Sequence, residues 1–120
     1  MRRLILVLVL VLTIAPAVAH DSTGPNGGRV TDLGPFHAEL IAKGSTVELY
    51  VTDADNKAIA MDGYKGLAIL AVAGRSERID LAFGAGNKLT GTSTVAIPPN
   101  AKGVVRLTGP DGKTDQAKFD

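Results

Sequence analysis

The chain has 120 residues, with 13 basic and 12 acidic side chains and a formal net charge of +1. It contains no cysteine, which excludes a disulfide framework, a thiolate metal site and a lipid anchor attached to a cysteine. There is no basic stripe with interleaved aromatic side chains, so nucleic-acid binding has no support. Only three Phe and two Tyr are present, so Val, Leu, Ile and Ala must form most of the core.

Residues 1–19 have the organisation of a secretory signal peptide. Arg2 and Arg3 form a basic start, residues 4–12 are an unbroken apolar run, and Ala17-Val18-Ala19 is a small-x-small cleavage pattern. The apolar run is shorter than the about 20 residues of a spanning helix, so we expect cleavage and no stable membrane anchor. Cleavage after Ala19 would make His20 the first residue of a periplasmic protein of 101 residues.

Residues 20–28 read His-Asp-Ser-Thr-Gly-Pro-Asn-Gly-Gly, which has no periodicity and many turn formers. The composition predicts a flexible N-terminal arm ahead of one domain at 29–120. From 36 onward the side chains alternate with period two, so His37 and Glu39 share one face of a predicted strand at 36–42. That strand and the next one at 46–52 are predicted to form a hairpin.

Further strands are predicted at 66–72, 77–83, 88–94, 103–108 and 114–119, with Gly-rich turns between them. Asp111-Gly112 is a strong hairpin signal between the last two strands. About seven to eight short strands at this spacing predict an all-β protein, a single immunoglobulin-like β-sandwich. A closed barrel is the competing architecture, and the strand pattern does not separate the two.

The two histidines are the main candidates for chemistry. As a new N-terminus, His20 would offer both its α-amino group and its ring nitrogen, and His37 would add a third nitrogen. Such nitrogen ligands suit Cu(II), Ni(II) or Zn(II), and Asp21 and Glu39 are candidates for oxygen ligands. The alternative is that His37 is a solvated strand residue and His20 simply an end residue.

A resemblance supports the metal hypothesis. Gly-Pro-Asn-Gly-Gly-Arg-Val at 24–30, followed by Gly-Pro-Phe-His-Ala-Glu-Leu at 34–40, resembles the Gly-Gly-x-Val…Gly-x-x-His-x-Glu-Leu pattern of small exported proteobacterial proteins. Similar segments occur in periplasmic adaptor proteins of heavy-metal efflux systems. Residues 51–59 also resemble a strand-turn segment of exported immunoglobulin-like domains of the copper-resistance kind.

The resemblance covers residues 24–72, and more weakly as far as 94. It implies a periplasmic β-sandwich linked to transition metals, with His37 and Glu39 as site residues and a metal-efflux component as a partner. The chain lacks the hairpin and lipoyl segments of a complete efflux adaptor. We therefore expect an accessory protein that buffers copper or zinc or hands it over.

Other functions have less support from the residues. Asp53-Ala54-Asp55-Asn56 begins like a calcium loop, but Lys57 and Ala58 stand where such a loop needs an oxygen ligand and a glycine, so a turn is expected. No nucleophile-elbow or zinc-protease pattern is present, and we do not expect an enzyme. The main alternative is an immunoglobulin-like envelope module that binds another protein, with the outward row Glu48, Tyr50 and Thr52 as one candidate surface.

Overall fold

The computed structural model describes residues 22–120, and all the regular structure in this range is β-strand. No helix in this range is long and apolar enough to cross a membrane. The strands are β1 (Ser22–Thr23), β2 (Arg29–Leu33), β3 (Phe36–Lys43), β4 (Thr46–Thr52), β5 (Lys65–Val72), β6 (Arg75–Ala85), β7 (Lys88–Thr92), β8 (Gly103–Thr108) and β9 (Thr114–Phe119).

The nine strands form one antiparallel sheet in the order β1-β2-β3-β4-β7-β6-β5-β8-β9. This confirms the predicted all-β class. The predicted hairpins β3–β4 and β8–β9 are present. The described residues contain one or two more strands than the seven to eight expected, partly because β1 has only two residues and so shows no alternation that a sequence pattern can reveal.

Strand β6 turns the single sheet into two layers. Its first part, Arg75 to Leu81, pairs with β5, and its last part, Ala82 to Ala85, pairs with β7 across a register shift. A bulge of this kind bends a strand and increases its twist. The sheet therefore curls over, with β1 to β4 and β7 in one layer and β5, β8 and β9 in the other, as a β-sandwich requires.

The core lies between these layers and is almost entirely aliphatic. In β4, Val47, Leu49 and Val51 are fully buried, whereas Glu48 and Tyr50 on the other face are half-buried. One continuous cluster joins the β4 side chains to those of both layers, including Leu40, Leu70, Leu89, Val105, Leu107 and Phe119. Burial of these side chains is the main driving force for folding. The side chains on the outer faces take little part in this core, and the candidate functional residues lie among them.

Arg29 connects β2 in the first layer to the second layer, which contains β8 and β9. The Arg29 guanidinium donates from Nη2 to the carbonyl oxygen of Ala101 at 2.5 Å. Its centre also lies 5.5 Å from the centroid of the Phe119 ring on β9. This hydrogen bond and the cation–π contact fix β2, and therefore the hairpin that carries His37, against the second layer.

The core assignment predicts a difference between two valine truncations. Val47→Ala should lower the free energy of unfolding by about 2 kcal/mol, because it removes two buried methyl groups and leaves a cavity. Val95→Ala, at a side chain that is 39% exposed, should change it by less than about 0.5 kcal/mol. Urea denaturation of both variants measures this, and equal losses would contradict the assignment of Val47 to the core.

Candidate functional site

The outer face of the β2–β3 hairpin places Asp32 directly opposite His37. The turn between the strands has only two residues, Gly34 and Pro35, and Gly34 has a positive φ of 56°. Glycine adopts this conformation without the clash that a Cβ would cause, and such short turns fix the hairpin register. With Leu33 paired to Phe36, the next pair is Asp32 and His37.

The imidazole of His37 lies between two polar groups. Its Nδ1 is 3.1 Å from Oδ1 of Asn56, and its Nε2 is 3.7 Å from Oδ1 of Asp32. The His37 side chain is 33% exposed and that of Asp32 is 90% exposed. The ring is thus held from one side and open to solvent on the side of the carboxylate.

Asn56 reaches His37 because of the turn after β4. The Asp53 carboxylate accepts hydrogen bonds from the backbone N–H groups of Asp55 and Lys57, each at 2.9 Å. Asn56 itself has a left-handed φ of 61°, a conformation that asparagine tolerates better than most residues. These bonds bear out the prediction of a turn for this segment.

Glu39, two residues after His37 on the same face, has a buried carboxylate. The residue is only 4% exposed. Its Oε2 accepts the backbone N–H of Gly28 at 2.7 Å and that of Asn26 at 3.0 Å, and its Oε1 accepts the side-chain amide of Asn26 at 2.9 Å. Charge-assisted hydrogen bonds of this type offset much of the cost of burying the carboxylate.

The glycines of the 24–28 segment explain how the loop approaches Glu39 so closely. A Cβ on Gly24 would overlap the Glu39 carboxyl group, and a Cβ on Gly28 would lie 2.5 Å from Cγ1 of Ile41 and 2.6 Å from the Leu40 carbonyl oxygen. Residues 22–28, which the sequence analysis assigned to a flexible arm, therefore form β1 and a loop that packs on β3.

A cavity of about 140 Å³ lies between this loop and the turns that follow β4 and β6. Its lining residues come from the loop, from neighbouring positions of β2, β3 and β4, and from the two turns: Pro25, Asn26, Val30, His37, Ala38, Glu39, Tyr50, Thr52, Asn56 and Asn87. A wider depression of about 430 Å³ lies at the end of β1 and also reaches His37 and Asp32. His37 therefore borders both spaces.

Tyr50 forms part of the cavity wall and lies opposite both Glu39 on β3 and Lys88 on β7. Its hydroxyl donates to Oε2 of Glu48 at 3.3 Å, and the Lys88 ammonium lies 5.9 Å from the centroid of its ring. Partial burial, then the charge and hydrogen bond of Glu48 and the charge of Glu39, raise the pKa of the Tyr50 phenol. The phenol therefore stays protonated at neutral pH.

Of the four residues predicted from the sequence, the structure brings His37 and Glu39 to one cavity. His20 and Asp21 lie outside the described residues. Within residues 22–120, no group of three or more His, Asp or Glu side chains is arranged to hold a metal ion. Asp32 was not among the residues predicted from the sequence. The two-residue turn Gly34-Pro35 was a usable signal for it, since a turn of this length pairs position 32 with position 37.

No protein-family profile matches this sequence, and neither the curated proteins nor the solved structures contain a match to it. The function must therefore be argued from the geometry around His37 and Glu39.

The structure predicts that Glu39 is important for stability. Glu39→Gln should lower the free energy of unfolding by about 2 kcal/mol, because a neutral amide oxygen accepts the N–H groups of Gly28 and Asn26 less strongly than a carboxylate does, and its NH2 group takes the place of the acceptor for the Asn26 side-chain amide. Glu77→Gln, at a half-buried carboxylate on β6, is the matched control and should cost less than about 0.5 kcal/mol. Urea denaturation compares the two, and a Glu39→Gln loss as small as that of the control would contradict the structural role.

Proposed function

We propose that this chain is an exported accessory protein of the bacterial envelope that binds a transition metal, copper or zinc. It would buffer the ion or hand it to another envelope protein, such as a metal-efflux component. The observation that carries this proposal is the imidazole of His37, held by Asn56 with its Nε2 directed at the Asp32 carboxylate.

The contact with Asn56 sets the chemistry of the His37 ring. When Nδ1–H donates to the Asn56 side-chain oxygen, Nε2 carries the free lone pair and can bind a metal ion. Histidine ligands in metal sites usually donate their second ring nitrogen to such a partner, which fixes the orientation of the ring. Asn56 would therefore be a positioning residue for the metal ligand.

The distance between Nε2 of His37 and Oδ1 of Asp32 also suits a shared ion. Two ligands that each lie about 2.0–2.2 Å from a tetrahedral zinc ion are roughly 3.4 Å apart. The observed separation is 3.7 Å, and the exposed Asp32 side chain is free to rotate by the small amount required. One nitrogen and one oxygen ligand are thus already close to binding geometry.

The proposed mature N-terminus would supply the remaining ligands. Strand β1 pairs Ser22 with Val30 and Thr23 with Arg29. If cleavage occurs after Ala19, His20 would be the first residue of the mature chain, two positions before Ser22, and β1 pairs with β2, the strand that carries Asp32. The amino group and ring of His20 would then complete a set of three nitrogens and one oxygen, a set that suits Cu(II) or Zn(II).

The two other predicted ligands take lesser parts in this proposal. Asp21 would be the second residue of the mature chain and remains a candidate for an additional oxygen ligand. Glu39 would have to give up its hydrogen bonds to Gly28 and Asn26 to bind an ion directly. We therefore assign Glu39 the role of holding the loop beside the site, and Asp32 the role of oxygen ligand. No catalytic role is proposed.

The second candidate function, an envelope module that binds another protein, also has a specific observation in its favour. Tyr50 and Thr52, which the sequence analysis placed on a candidate binding surface, line the 140 Å³ cavity beside Glu39. Protein-binding sites are enriched in tyrosine, which combines an apolar ring with a polar hydroxyl.

Metal titration tests the main proposal. A chain that begins at His20 should bind one Cu(II) or Zn(II) ion in calorimetry, and His37→Ala or Asp32→Asn should weaken this binding at least about tenfold, since each removes a direct ligand. Asn56→Ala should weaken it about tenfold by releasing the His37 ring. The affinity should also fall on acidification, because protons compete with the metal for the nitrogen ligands.

Two controls make the result specific. Asp80→Asn removes an exposed carboxylate on β6 and should leave the affinity unchanged. An additional residue placed before His20 should weaken binding, because it displaces the amino group from the proposed site. Full affinity after the loss of His37, or equal losses in Asp32→Asn and Asp80→Asn, would overturn the proposed ligand set.

A further inference from the structure

The cavity beside Glu39 has a feature that the metal proposal does not use. Glu39 is a buried carboxylate, and its hydrogen-bond partners are neutral N–H groups of Asn26 and Gly28. Among residues 22–120, no Lys, Arg or His side chain forms an ion pair with it. These hydrogen bonds offset much of the cost of burying the carboxylate but do not neutralise its charge, so a cation that enters the cavity would be attracted to it.

The size of the cavity limits the ligand to a single chemical group. A volume of about 140 Å³ holds roughly four or five waters, far below the roughly 300 Å³ of the smallest typical small-molecule pockets. Pro25, Val30, Ala38 and the ring of Tyr50 form apolar walls, while Asn26, Asn56 and Asn87 provide amide groups. This combination suits an alkyl chain that ends in a positively charged group.

The hydrogen bonds of Glu39 distinguish between the two cationic side chains. An ionised carboxylate has about four acceptor positions, and three N–H donors make four contacts with this one. The longest of the four, 3.4 Å, joins the backbone N–H of Asn26 to Oε1, because this N–H is shared between the two oxygens. An arginine fork binds a carboxylate best through two parallel hydrogen bonds, which would displace the loop. A lysine ammonium is a compact charge that needs only one acceptor position, and displacing the 3.4 Å contact on Oε1 would leave the three shorter hydrogen bonds in place.

We propose that this cavity receives a lysine side chain of a partner protein, with its ammonium group on Glu39 and its alkyl chain along Tyr50. The cavity shares His37 with the proposed metal site, but the ammonium would bond to Glu39, which is not a proposed direct ligand, so its binding does not require a bound metal.

Solution NMR tests this with small probes in the presence of a chelator. The ¹⁵N-labelled protein is titrated with N-acetyl-lysine methylamide and with the matched norleucine and arginine derivatives. The lysine probe should cause saturable shifts of the side-chain amides of Asn26, Asn56 and Asn87, with a dissociation constant of about 1–10 mM, as expected for an isolated side chain. Norleucine, which lacks the charge, should bind at least about tenfold more weakly.

Two variants connect the binding to the cavity. Glu39→Gln should abolish the preference for lysine over norleucine. Because this substitution also weakens the loop, Thr52→Phe provides an independent variant that narrows the cavity without touching the hydrogen bonds of Glu39, and it should remove the shifts. Equal binding of lysine and norleucine, equal binding of the arginine derivative, no shift at the three amides, or unchanged binding in Thr52→Phe would each overturn the proposal.

Discussion

The hydrogen bonds between the Glu39 carboxylate and the 24–28 loop organise the outer face of the first layer. The carboxylate is buried on β3, and the loop reaches it because Gly24 and Gly28 have no side chains that would prevent the approach. The same loop begins just after β1 and leads into β2, which carries Asp32. Loss of these bonds would disturb both the cavity wall and the position of β2, which carries Asp32 opposite His37.

Two neighbouring sites on this face would have different chemistry. On one side, Nε2 of His37 and the exposed Asp32 carboxylate lie 3.7 Å apart, and this is the proposed metal site. On the other side, the buried carboxylate of Glu39 borders a small cavity with apolar walls, which suits an ammonium group. Asn56 and His37 lie between the two sites, so a partner that inserts a lysine would be placed next to the metal ligands. A metal carrier that delivers its ion to another envelope protein would need such a contact.

The sequence was sufficient to predict the all-β class, because alternation in β3 and β4 and the Asp111-Gly112 turn are local signals. It also placed His37 and Glu39 on one face. The sequence did not reveal that Glu39 is buried. The alternation of β3 assigns the face that carries Glu39 to solvent, but the loop formed by residues 24–28 covers this face. The contact of Asn56 with His37 depends on a turn 19 residues away in the chain, a distance over which local patterns carry no information.

The location of a bound metal ion tests the central claim most directly. Crystals of the chain beginning at His20, grown with Zn(II) or Cu(II), would locate the ion by anomalous diffraction. The account predicts a single peak bonded to Nε2 of His37 and to the Asp32 carboxylate, with the N-terminal amine and ring of His20 completing the ligands and Glu39 still bonded to Gly28. A peak away from His37, or no ordered peak at all, would contradict it.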